Sequence, residues 1–156
     1  MINNRVSSCT GRMTKVCDYI QLHLDDNLSV DKLSQVAHFS KYHFNRQFAD
    51  YVGVNVARYI LLARLKRAAY QLAFDSKCRV IDAALNAGFE NPESFSWAFK
   101  QSCSQTPSQF KQKPEWAIWN ELFKLRIIEK NVEMNVEIVT FPETKVGYWN
   151  IRLHPV

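Results

Sequence analysis

The sequence predicts an all-α fold of two helix-turn-helix subdomains joined by a long linker helix, followed by a short C-terminal pair of strands. Three observations predict it. A pattern of short helix, tight turn and amphipathic helix recurs about fifty residues further on. Between the copies runs a helical stretch with no proline or glycine. Near the C-terminus the hydrophobic period shifts from that of a helix to strict alternation. With 47% hydrophobic residues in 156, the chain can bury the core of one ordinary domain, or of one domain and a fragment.

The first element is a helix from Thr14 to about Asp26, with Val16, Ile20 and Leu24 on its buried face. Ser29 is an N-cap for a short helix through Ala37, which enters the tight sequence Ala37-His38-Phe39. Ser40 then caps a helix that runs to about Val52 and stops at Gly53. The linker helix follows from about Val56 to Phe74. The second copy starts near Val80, turns at Ala87-Gly88-Phe89, and begins its second helix at Asn91-Pro92, ending near Cys103. The two units span about 29–52 and 79–103 within a domain of 12–113. Each turn needs a residue that tolerates a left-handed backbone: Gly88 does so without steric cost, and His38 is among the more tolerant alternatives.

Past Pro114 the character changes. Residues 114–131 read as a linking helix, with Trp116, Trp119 and Phe123 on one side. Val132 to Ile138 alternates apolar and polar side chains, a strand; Phe141-Pro142-Glu143-Thr144 forms a turn, and Lys145 to Leu153 a second strand. Two strands do not make an independently stable sheet. This tail of 132–156 is expected to pack on the helical part, pair with another chain, or be a remnant of a larger domain.

Charge is unevenly placed. From Arg12 to Lys113 there are 14 Lys/Arg against 9 Asp/Glu, whereas from Pro114 onward there are 5 against 6. A surplus confined to one region is an electrostatic footprint for a polyanion, although a solvated helix surface gives the same count. No apolar run reaches the roughly 18 residues of a membrane span, and the first residues carry no signal-peptide pattern. The four cysteines lie 8, 61 and 25 residues apart, matching neither zinc spacing nor a disulfide scaffold. The expectation is a cytoplasmic, reduced protein with Cys17 and Cys78 in or near the core and Cys103 at a helix end. The four histidines form no metal-ligand pairing, and no set of nucleophile, base and orienting group is visible, so neither a metal, a cofactor nor an enzymatic reaction is expected.

Function is carried by the outward faces of the two second helices. In the first unit Phe44, Phe48 and Tyr51 form the inward stripe, leaving Tyr42, Asn45, Arg46 and Ala49 outward. In the second, Phe95, Ala98, Phe99 and Ser102 face inward, leaving Glu93, Ser96, Trp97 and Lys100 at the same spacing. Two amphipathic helices with matched outward faces fit insertion into double-stranded DNA better than a plain bundle.

Several stretches together give a resemblance to a known family. They are Leu33-Ser34-Gln35-Val36-Ala37, Ser40-Lys41-Tyr42-His43-Phe44-Asn45-Arg46-Gln47-Phe48, Gly53, Tyr59-Ile60, and Arg64-Leu65 with Ala68 and Leu72. Ile81 with Ala84, Gly88-Phe89, Phe95-Ser96, Phe99-Lys100, Thr106-Pro107 and Phe110 complete the set. From about Thr14 to Gln112 the chain resembles the DNA-binding domain of the AraC/XylS family of transcription regulators, in particular its MarA/SoxS/Rob branch. The resemblance implies that the first recognition helix makes most base contacts, through Tyr42, Asn45 and Arg46. The chemistry agrees: Arg forks onto guanine O6 and N7, Asn onto adenine N6 and N7, and Tyr42 packs on a thymine methyl or bonds a phosphate.

The second helix departs from the family pattern. Family members often carry Arg where Trp97 stands, polar residues at Pro92 and Glu93, and glycine at Ser104. Glu93, Ser96 and Trp97 are therefore expected to read sequence weakly or differently. Phosphate contacts are expected from Ser40, Lys41 and Asn91 at the helix starts and from Lys100, Lys111 and Lys113. The indole of Trp97 is unfavourable in water, so it should either meet DNA or be covered by the apolar tail around Trp116 and Trp119. The tail from 132 resembles the opening of a GyrI-like effector-binding domain, but 25 residues are too few to hold a pocket.

The expected protein is thus a regulator that places two recognition helices in successive major-groove segments and binds DNA as a monomer. The alternatives are a sensor whose C-terminal part binds a small amphipathic compound, and an adaptor that contacts RNA polymerase without reading DNA. RNA polymerase is a second candidate partner of the first reading too.

Overall fold

Eight helices account for about three quarters of residues 2–123, which are those the computed structural model describes, with side chains from Cys9 to Glu121. They are α1 (Ile2–Leu22), α2 (Val30–Val36), α3 (Lys41–Val52), α4 (Val56–Phe74), α5 (Val80–Asn86), α6 (Pro92–Cys103), α7 (Pro107–Gln112) and α8 (Trp116–Phe123). The expected strand pair of 132–156 and the end of the linking helix lie outside the described residues.

The first unit forms for the local reasons its sequence gives. Ser29 Oγ accepts the Lys32 N–H at 3.2 Å to start α2, and Ser40 Oγ accepts the His43 N–H at 3.3 Å to start α3. Gly53, at φ 89°, ends α3. The second unit starts on Arg79, whose N–H meets the Asp82 carboxylate at 3.1 Å, and α6 on Asn91, whose Oδ1 accepts the Ser94 N–H at 2.8 Å. The two turns share one hydrogen-bond pattern fifty residues apart. Phe39 N–H donates to Ser34 O and Phe89 N–H to Ala84 O, both at 3.0 Å; His38 N–H donates to Gln35 O, and Gly88 N–H to Leu85 O. His38 at φ 53° and Gly88 at φ 80° hold the left-handed positions that the sequence assigned to them.

Two bounds and one further element differ from the sequence reading. α1 begins at Ile2 instead of near Thr14. It also ends at Leu22, where the chain turns with Asp26 N–H on His23 O at 3.0 Å; the buried stripe of Val16, Ile20 and Leu24 is as expected, joined by Met13 and Cys17. α7 was not foreseen as a helix, although Thr106-Pro107-Ser-Gln109 is a capping box. Thr106 Oγ1 accepts the Gln109 N–H, and Gln109 Oε1 accepts the Thr106 N–H.

Two cores sit along one helix. Met13, Val16, Ile20, Leu33, Phe44, Phe48, Val52, Tyr59 and Ile60 pack together, closing at Ala63 of α4. From Leu65 onward the same helix belongs to the second core, with Ala68, Leu72, Phe95, Phe99, Cys103, Phe110 and Trp119. Cys103 is thus a fully buried core residue as well as a helix-end one, and burial pushes the Cys17 thiol up to about 12. α4 is buried on several sides, which is why it is apolar around most of its circumference.

Ser104 terminates α6 in the left-handed region at φ 61°, where a Cβ is unfavourable. Ser104→Gly is therefore expected to raise stability by about 0.5–1 kcal/mol, the usual gain from relieving such a position less the added freedom of the unfolded chain. Urea unfolding checks it, and a midpoint below that of the native protein would show that Ser104 contributes more than its backbone strain takes away.

Candidate nucleic-acid interface

The faces assigned from sequence are the faces the fold presents. On α3, Phe44 and Phe48 are wholly buried and Tyr51 half-buried, while Tyr42 is 81% exposed and Asn45 and Arg46 lie open beside it. Ala49 is half-buried at the edge of this face. On α6, Phe95, Ala98, Phe99 and Ser102 are buried. Glu93, Trp97 and Lys100 point outward, with Ser96 half-buried between them.

Nothing rigid occupies the polar groups on α3. Arg46 Nε lies 4.0 Å from Asp50, one turn on, with both side chains well exposed. Such a pair contributes little and yields readily to a stronger acceptor. Lys41 is ion-paired with Asp31 at the start of α2, again in solvent. Ser40 and Asn91 use their side-chain oxygens as helix caps. Each sits where the free N–H groups of a helix start gather, a favourable place for an anion. Lys100 is open near the end of α6, and Lys113 is open after α7.

One expectation needs correction. Lys111 does not face outward as an anchor: its Nζ donates to the carbonyls of Cys78 at 2.6 Å and Ser76 at 3.1 Å, pinning the loop before α5 onto α7. A lysine three residues before a proline gives no hint of this, since the acceptors lie 33 and 35 residues away in sequence. Of the two partners weighed for Trp97, DNA or the tail around Trp116 and Trp119, those tail tryptophans do not supply the cover. The Trp97 indole is 69% exposed, because the tail tryptophans pack elsewhere. Trp119 enters the second core with its ring 5.6 Å from Phe99, and Trp116 lies 4.9 Å from Tyr70 and 5.0 Å from Phe110. Trp97 instead borders a shallow apolar groove with Leu61, Phe89, Ser94 and Ala98, edged by Glu93.

The sequence reading assigned no role to Arg64 beyond membership of a motif, and none to Arg67. The fold aims both guanidinium groups at backbone carbonyls of other elements. Their three-residue spacing, one side of a helix, was the available signal.

Comparison with known proteins agrees with this architecture. A family model described as a helix-turn-helix domain matches residues 33–113. Over 111 residues the chain is 33% identical to the Right origin-binding protein of Escherichia coli strain K12, covering 71% of this chain and 38% of that protein. Over 126 residues it is 32% identical to the Transcriptional regulator Rob of Salmonella typhimurium strain LT2, covering 81% of this chain and 43% of that one. The chain therefore spans about two-fifths of the length of these relatives. Among solved structures, an AraC-type regulator from Chromobacterium violaceum superposes with a TM-score of 0.61 at 24% identity, covering 67% of this chain and 96% of that one. The DNA-binding domain of AdpA, determined in complex with a target DNA, superposes with a TM-score of 0.58 at 22% identity, covering 64% and 89%.

Paired turns, paired amphipathic helices and one shared helix define a double helix-turn-helix protein. The chain belongs to the AraC-type helix-turn-helix family.

Proposed function

We propose that this chain is a transcription regulator that binds double-stranded DNA sequence-specifically, laying α3 and α6 into successive major-groove segments. The observation that carries the proposal is the pair of outward faces, Tyr42-Asn45-Arg46 and Glu93-Ser96-Trp97, each backed by its own core on one continuous helix. The 19 residues of α4 span about 28 Å, against about 34 Å between successive grooves. Helix thickness or a bend in the duplex supplies the remainder.

In this reading α3 supplies most of the specificity. Arg46 and Asn45 are free to make bidentate contacts to guanine and adenine, and Tyr42 offers an aromatic edge and a hydroxyl. α6 reads less by hydrogen bonds and more by apolar contact, with the Trp97 indole on sugar or thymine methyl groups. Ser40, Lys41, Asn91, Lys100 and Lys113 hold phosphates and set orientation without carrying sequence information. Because both reading helices lie in one chain, a monomer suffices. No reaction is assigned to the protein, and contact with RNA polymerase is the natural second interaction of a regulator.

The test is to recover bound fragments from a random DNA pool, then titrate variants by fluorescence anisotropy. Arg46→Ala is expected to weaken binding to the recovered site by about 1–3 kcal/mol, with a much smaller effect on scrambled DNA. Trp97→Ala should weaken both reading and affinity while leaving the melting temperature near native, because the indole is exposed. Equal losses on both duplexes would demote Arg46 to a phosphate contact, and failure to recover any motif would overturn sequence-specific binding altogether.

A further inference from the structure

Two of the arginines of α4, Arg64 and Arg67, lie three residues apart near the boundary between the two cores. Ala63 is the last buried α4 residue of the first core and Leu65 the first buried one of the second, so Arg64 stands at the seam. Its Nε donates to Leu24 O at 3.0 Å and its Nη2 to Asp26 O at 3.1 Å, both in the turn that follows α1 of the first unit. On the other side, Nη1 lies 3.2 Å from where a Cβ on Gly88 would sit, in the turn of the second unit. Arg67 repeats the bridge. Nη1 and Nη2 hold the Asp25 carboxylate at 3.0 and 2.6 Å, and Nη2 also donates to Asn86 O at 2.7 Å, the last carbonyl of α5.

The geometry is that of a clamp between units. Arg67 ties the turn at Leu24–Asp26 to the end of α5 by hydrogen bonds, and Arg64 bonds the same turn while its guanidinium packs against Gly88, satisfying carbonyls that trailing helix ends leave without backbone donors. Positive charge at the end of α5 also matches the sign of the helix dipole there. Among the described residues, no helix of the first unit packs extensively on a helix of the second. Apart from the rod of α4, the clamp is the principal direct link between them. α4 fixes the separation of the units, and the cross-link adds a restraint on how each unit can rotate about it. Arg67 keeps the Asp25 carboxyl below its ordinary range through these hydrogen bonds, consistent with a formed pair although Asp25 is largely in solvent.

We propose that Arg64 and Arg67 are positioning residues that fix the angle between the two recognition helices, and thereby the spacing between half-sites that the protein accepts. The mechanical part stands on the contacts alone; the spacing part rests on the DNA-binding function proposed above. Neither arginine touches DNA in this scheme.

Residual dipolar couplings on the whole chain, without DNA, test the first part. For the native protein the two units should share one alignment tensor. For Arg64→Ala/Arg67→Ala, with each unit still folded by its amide spectrum, the tensors should separate in magnitude. Asp25→Ala removes an exposed carboxylate that neither core needs, and it should produce the same separation to a smaller extent. That variant decides the matter if the double variant fails to fold.

The second part is tested by selecting half-site spacing from a random pool and then inserting one base pair between the half-sites. The native protein should lose at least about tenfold in affinity, of the order that one mismatched base pair costs. The clamp variants should lose less than about threefold and should recover a broader range of spacings. A single shared tensor in folded variants would overturn the clamp. Separate tensors with an unchanged insertion penalty would overturn its role in spacing. If no DNA motif is recovered with the native protein, the DNA-binding function fails, and the couplings still judge the clamp by themselves.

Discussion

Phe48→Ala and Phe99→Ala are each expected to lower unfolding stability by about 3–5 kcal/mol, the usual cost of removing a fully buried phenylalanine from a core that cannot collapse around the gap. Both rings are wholly buried, and each is the hub of its unit. Phe48 meets Phe44 at 5.6 Å and Tyr59 at 5.5 Å between ring centres, while Phe99 meets Phe95 and Phe110, each at 5.5 Å. The losses should also be local. Among the described residues no helix of α1 to α3 packs extensively on α5 to α8, so hydrogen exchange in Phe48→Ala should speed up mainly in α1 to α3, and in Phe99→Ala mainly in α5 to α8. Urea midpoints near native for either variant would contradict the packing of that recognition helix. Uniform acceleration of exchange across both units would instead show that they unfold as one body.

How much of this could be read in the sequence depends on the range of the interaction. The caps, turns and inward stripes are set by residues within five positions of one another, so Ser29, Ser40, Asn91, Gly88 and even His38 declare themselves. The bounds of α4 fall on Val56, just after Asn55, whose side chain caps it, and on Phe74, where Asp75 leaves the helical conformation. The outward residues of α3 and α6 followed from the same periodicity, since a helix that buries Phe44 and Phe48 must turn Asn45 and Arg46 away. What escaped was every contact made across tens of residues. The Lys111 ammonium reaches back to Ser76 and Cys78, and Arg67 bridges Asp25 and Asn86. Side-chain type is no guide there, because a lysine in solvent and one bonded to two carbonyls look the same in a string of letters. The place of Trp119 escaped for the same reason: its apolar character was evident, but its partner was not.

That partner makes Trp119→Ala the second large effect. α8 lies beyond the matched helix-turn-helix region, yet its Trp119 ring is 1% exposed and sits 5.6 Å from Phe99 and 6.4 Å from Phe110. A tryptophan side chain buries roughly 150–250 Å², so its removal should cost about 3–5 kcal/mol and leave Phe99 and Phe110 open to water. Because α8 has only this residue fully buried among those described, the helix should undock from α6 instead of settling into the gap. Trp119→Phe keeps most of the apolar contact and should lose markedly less. Thermal unfolding followed by circular dichroism gives the size of both effects, and hydrogen exchange along α6 to α8 gives their location. If α8 were merely a strap toward whatever follows Phe123, both variants would melt with the native protein. If it is a structural part of the second unit, Trp119→Ala should also weaken DNA binding through α6 while leaving reading by α3 largely in place.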